Sequence, residues 1–64
     1  MKFEIISGGH LRKYGVEFEK RIPLEVQEWC RQLFGFDAER VYVGRWYVAF
    51  KNEADRSLFL LRWG

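Results

Sequence analysis

The chain carries one cysteine, one histidine, one methionine and one proline in 64 residues. With Cys30 alone, no intrachain disulfide can form, and the expected setting is a reducing compartment, the cytoplasm. No charged n-region followed by an apolar h-region opens the chain, and no run approaches about 18 apolar residues. Stretches such as Leu58–Leu61 fall far short of that length, so a soluble protein without membrane contact is expected. Catalytic groups are equally scarce. A Cys/His pair would need His10, in a glycine-rich loop, to fold over Cys30, which sits on the apolar stripe of a predicted helix where cysteine is usually inert. A structural zinc needs four ligands, and His10 and Cys30 supply only two. The expectation is therefore no enzymatic activity, no cofactor and no metal.

Strong charge of either sign is also missing. Eleven Lys and Arg against nine Asp and Glu leave +2, too little to argue nucleic-acid binding from charge alone, because phosphate contacts need a concentrated basic footprint. Seven of the cations are Arg, the side chain suited to bidentate carboxylate or phosphate contacts. There are no internal repeats and no low-complexity segments.

Bulk is what the chain does have. Aromatic residues make up 19% of it, with six Phe and three Trp, within a 48% hydrophobic total. Each large ring removes roughly 150–250 Å² from water. That offsets the thin margin of so short a chain, which buries only about 60% of its unfolded surface. One domain is expected, as a monomer or a homodimer.

Residues 2–6 alternate, with Phe3 and Ile5 on one side and Lys2 and Glu4 on the other, which predicts a strand. A second run at 16–22 sets Val16, Phe18, Lys20 and Ile22 against Glu17, Glu19 and Arg21, predicting a hairpin closed by the long loop Ser7–Gly15. Pro23 suits a helix start. Behind it Val26, Trp29, Cys30, Leu33 and Phe34 repeat at i, i+3, i+4, i+7 and i+8, the stripe of an amphipathic helix. Gly35 is placed to end that helix with positive φ.

The stretch 39–50 predicts a second hairpin turning at Gly44-Arg45, since glycine favours the first central position of a type II′ turn. Val43 would then face Trp46, with Val41, Val43, Trp46 and Val48 on a core face and Arg40, Tyr42, Tyr47 and Ala49 on the other. One long strand with a bulge at Gly44-Arg45 is the alternative. Asn52 is a fitting N-cap, with Asp55 completing a weak capping box. Ala54, Leu58 and Leu61, with Phe59 beside them, predict a helix over about 53–62; the rival is a final strand over Leu58–Trp63. The fold class expected is α+β, a small antiparallel sheet of two hairpins with two helices in the order ββαββα.

The C-terminal third, Phe50-Lys-Asn-Glu-Ala-Asp-Arg56 followed by Phe59-Leu-Leu-Arg-Trp63, resembles the ends of short uncharacterised tailed-bacteriophage proteins. Those show a strand ending in an aromatic residue, a helix opening with acids around an Asp, and a terminal Leu-x-Trp. The resemblance implies a phage origin and the host cytoplasm, and it transfers no functional residue.

Two surfaces are candidate sites. Arg40, Tyr42 and Tyr47, with Arg45 at the turn, combine cations and rings. That composition suits a protein-binding hot spot or a stacking platform for single-stranded nucleic acid; a simple cross-strand Tyr pair would look the same. The loop residues Gly8, Gly9, His10, Arg12 and Lys13 could turn backbone N–H groups and cations toward an anion such as a nucleotide phosphate. A plain flexible connection fits them too. The expected function is a non-enzymatic protein-interaction module binding a host or virion protein through the aromatic/Arg patch. The alternative is single-stranded nucleic-acid or nucleotide binding.

Overall fold

The computed structural model describes residues 2–9 and 11–64. Its order is β1 (Phe3–Ser7), β2 (Tyr14–Phe18), α1 (Leu24–Phe34), β3 (Val41–Val43), β4 (Tyr47–Phe50) and α2 (Glu53–Trp63). The ββαββα order of an α+β fold is thus present, as is the antiparallel sheet of two hairpins. In space the strands run β1-β2-β4-β3, so β2 and β4, from different hairpins, pair at the centre.

Strand alternation divides the sheet. Val16, Phe18, Val48, Phe50 and Val41 are buried together with Val26, Cys30 and Phe34 of α1 and Phe59 of α2 in one cluster. Both helices therefore cover the same face. The cluster is dominated by rings: Phe59 lies 5.8–6.0 Å, centroid to centroid, from Phe3, Phe18, Trp29 and Phe50. Such edge and tilted contacts are favourable beyond the area they bury.

α1 follows its expected stripe in part. Val26, Cys30 and Phe34 are buried, and Trp29 is half-buried against Phe59 and Trp63. Leu33, expected on that stripe, is 47% exposed. Gly35 ends the helix with φ 75° and ψ −163° and donates its N–H to the Arg31 carbonyl at 2.9 Å, a conformation close to glycine-only territory.

Three expectations are corrected. β2 spans Tyr14–Phe18 rather than 16–22: the chain bends at Glu19-Lys20, and Lys20 is exposed off the end of the strand. The second hairpin pairs Val43 with Val48, not with Trp46, and the turn centres on Arg45-Trp46. The Gly44 N–H donates to the Tyr47 carbonyl at 2.8 Å, while the Trp46 and Arg45 carbonyls accept from Phe18 and Ile22. The turn thus serves as the partner of the end of β2 and its exit, and Trp46 is left outside the core at 53% exposure. A two-residue shift preserves strand parity, so Val41, Val43 and Val48 keep their face and only Trp46 loses it.

The third correction concerns α2. The segment is helical to Trp63, excluding the terminal strand, yet Leu58 is 45% and Leu61 84% exposed, and Ala54 is exposed as well. Its inward side is Asp55, Phe59 and Trp63. The expected capping box is absent: Asn52 occupies the N-cap without a side-chain bond. Asp55 is instead committed to Arg40.

Candidate functional site

The sheet face turned away from the helices carries the site. Strand register sets Tyr42 beside Ala49, Ala49 beside Gly15, Tyr47 beside Glu17, and Glu17 beside Glu4. The ring centroids of Tyr42 and Tyr47 are 5.2 Å apart and tilted by 35°, a diagonal pair rather than the directly opposed one expected. Each ring remains substantially exposed, at 42% and 39%.

The two candidate surfaces of the sequence converge here. The loop between β1 and β2 folds back so that the Arg12 guanidinium lies 5.6 Å from the Tyr42 ring centroid. Its Nη1 donates to the Ala38 carbonyl at 2.6 Å, tying the loop to the entry of β3. Gly9, Leu11, Arg12, Tyr42, Tyr47 and Ala49 enclose a recess of about 200 Å³. Ala49 is its floor, only 2% exposed, while Leu11 on the rim is 71% exposed. Ala49 was expected on this outer face, though not as a contact residue, whereas Leu11 was not singled out in the sequence. An apolar Leu within a polar loop was the available signal.

Among the described residues, nothing converges around an anion in the manner the glycines suggested. The Gly8 N–H donates to the Lys13 carbonyl at 2.7 Å, so the loop uses that amide to close on itself. Glycine is needed there because a Cβ would run into the Arg12 carbonyl. Lys13 and Gly9 are exposed, and His10 lies outside the described residues.

Arg40 does not join the tyrosines. It precedes β3 in a turn where its N–H and that of Val41 both donate to the Asp37 carbonyl at 3.1 Å, and its side chain crosses to the helical face. There Nε and Nη2 donate to the Asp55 carboxylate at 2.9 and 3.2 Å, with the guanidinium 5.3 Å from the centroid of Phe34. The Asp55 hydrogen bond, then its charge, hold Arg40 above its ordinary pKa. Bidentate pairing of this kind fixes geometry, locking β3 to the first turn of α2. Arg45 is exposed at the hairpin tip, away from the Arg12 recess.

Cys30 is fully buried, and burial pushes its thiol from 9.0 up to about 12, the opposite of what a reactive thiolate requires. Among the described residues no three His, Cys, Asp or Glu side chains gather as metal ligands, and no helix is long and apolar enough to cross a membrane. Comparison of the chain with protein families, with curated proteins and with solved structures finds no match.

Proposed function

We propose that the chain is a non-enzymatic protein-interaction module that docks its partner on the open sheet face. The observation that carries the reading is the recess over Ala49, rimmed by Tyr42, Tyr47, Arg12 and Leu11. At about 200 Å³ it is smaller than the roughly 300–1,000 Å³ of small-molecule pockets, a size suited to a partner's side chain. Tyr and Arg dominate the residues that anchor protein interfaces, where a rigid ring brings large area at low entropic cost. The C-terminal resemblance makes a host or virion protein the expected partner.

Charge and ring geometry favour this reading over a nucleic acid. Glu17 is the cross-strand neighbour of Tyr47, and Glu4 that of Glu17, so carboxylates share the face that phosphates would approach. Tyr42 already has Tyr47 and Arg12 against its ring, contacts that a stacking base would have to displace or share. A partner segment with an apolar anchor beside a Lys or Arg complements both halves of the face.

The test is selection of a random peptide library on the immobilised protein, repeated with a Tyr42→Ala/Tyr47→Ala variant. Enriched peptides should pair an aliphatic or aromatic anchor with a cation and should lose binding to the variant. Equal binding to both would refute the site. Salt-dependent binding of a labelled oligonucleotide, steep between low and moderate ionic strength, would refute the module in favour of nucleic acid.

A further inference from the structure

The two edges of the sheet are treated differently. In β3, the Gly44 N–H donates to Tyr47 and the Lys51 N–H to the Arg40 carbonyl, so the even-numbered residues face β4. Val41 and Val43 then turn their backbone groups outward, and the Val41 N–H is already taken by Asp37. That edge is three residues long, and the Val43 N–H is its one free donor, beside the Val41 and Val43 carbonyls. Short edges of this kind resist pairing.

β1 has no such protection. The bonds from Glu19 N–H to the Lys2 carbonyl and from Gly8 N–H to the Lys13 carbonyl continue the β1–β2 ladder at both ends. Antiparallel alternation therefore points Lys2, Glu4, Ile6 and Gly8 toward β2 and leaves Phe3, Ile5 and Ser7 with N–H and C=O groups facing outward. Among the described residues no backbone group bonds to them across that edge. The strand carries no proline, and at its centre Ile5 is 58% exposed.

We propose that β1 is a self-association edge, pairing antiparallel with β1 of a second copy about a two-fold axis through Ile5. The register follows from which groups are free. Centring on Ile5 pairs Ile5 with Ile5 and Phe3 with Ser7, so all three outward-facing residues on each strand are used, for about six hydrogen bonds. Centring on Glu4 would set two carboxylates directly opposite each other in the closer, non-bonded pair, a destabilising arrangement. Centring on Ile6 would leave Phe3 without a partner in the strand. Only the Ile5 register satisfies the edge and buries the exposed Ile5 side chain against its own copy. An isologous contact of this kind closes on itself as a dimer, and it merges two four-stranded sheets into one. Tyr42 and Tyr47, on β3 and β4, lie across the sheet from this edge.

Sedimentation equilibrium from about 10 µM to about 1 mM brackets the weak association that a small interface supports. The 64-residue chain is within reach of chemical synthesis, so the Ile5 amide can be N-methylated, removing one outward donor while sparing the bonds to β2. The expected result is a concentration-dependent dimer whose dissociation constant rises about tenfold or more on N-methylation, with unchanged circular dichroism. Ile5→Lys, which places charge on the edge, should act in the same direction, and Leu61→Ala should leave the dimer intact. In a mixed-label sample, a nuclear Overhauser contact between the α-protons of Glu4 and Ile6 of different copies would mark the register. A monomer throughout the range, or a dimer indifferent to N-methylation and to Ile5→Lys, overturns the proposal.

Discussion

The orientation of α2 yields the sharpest quantitative prediction, because spacing and structure disagree about which residues face inward. Phe59 is fully buried and touches four other rings, whereas Leu61, two positions on, is 84% exposed. A Phe side chain buries roughly 150–250 Å². At about 25 cal/mol per Å² its removal forfeits up to about 4–6 kcal/mol, and Phe→Ala substitutions in cores cost about 3–5 kcal/mol. A domain of this size is stable by only about 3–10 kcal/mol, at roughly 0.05–0.15 kcal/mol per residue. Phe59→Ala should therefore remove about half of the stability or more. Phe59→Leu keeps most of the area but loses the ring contacts, and should cost about 1–2 kcal/mol. At about 4–8 °C per kcal/mol, that lowers Tm by roughly 5–15 °C. Leu61→Ala should stay within about 0.5 kcal/mol of the parent. Urea unfolding followed by tryptophan fluorescence suits the comparison, since Trp29 and Trp63 lie beside the cluster. A Leu61→Ala loss equal to that of Phe59→Leu would refute the packing and restore Ala54, Leu58 and Leu61 as the inward stripe.

Cys30 sets a pH dependence of definite sign. Its thiol is raised from 9.0 to about 12 by burial, with Arg31 pulling weakly downward, so the unfolded chain gives up this proton first. The contribution is fully present below pH 9 and is lost as pH rises toward about 12, at up to about 1.4 kcal/mol per pH unit; a Cys30→Ala variant melted across that window should show a shallower decline. At pH 8 a thiol reagent should modify the native chain only as fast as it opens. In the loop, Gly8→Ala should cost about 1–3 kcal/mol because its Cβ meets the Arg12 carbonyl. Gly9→Ala, with open space around it, should be within about 0.5 kcal/mol of neutral, and thermal melts of the two variants settle the contrast. Tyr42→Ala/Tyr47→Ala should abolish peptide capture yet remain folded, since the ring pair contributes only about 0.5–1.5 kcal/mol beyond its half-exposed area.

Local pattern determined a good deal of this protein. Alternation at 2–6 and 39–50, the helical stripe behind Pro23 and the positive-φ glycine at 35 are short-range signals, because period and steric permission act within a few residues. They were enough for the α+β class and the ββαββα order, and for placing Tyr42 and Tyr47 on the face away from α1. Tertiary structure decided the rest. β2 recruits the Arg45 and Trp46 carbonyls, which moves the turn and expels Trp46, a competition between strands far apart in sequence. Asp55 forgoes its cap to pair with Arg40, and that bond pulls Arg40 off the aromatic face. Phe59 outcompetes Leu58 and Leu61 for the core because four rings contributed by β1, β2, α1 and β4 meet at its position, and no helical periodicity encodes where they meet. The recess over Ala49 arises in the same way, from a loop and a hairpin some thirty residues apart in sequence. Periodicity could show which residues share a side of their own element. Which side found a partner was settled only when all six elements packed at once.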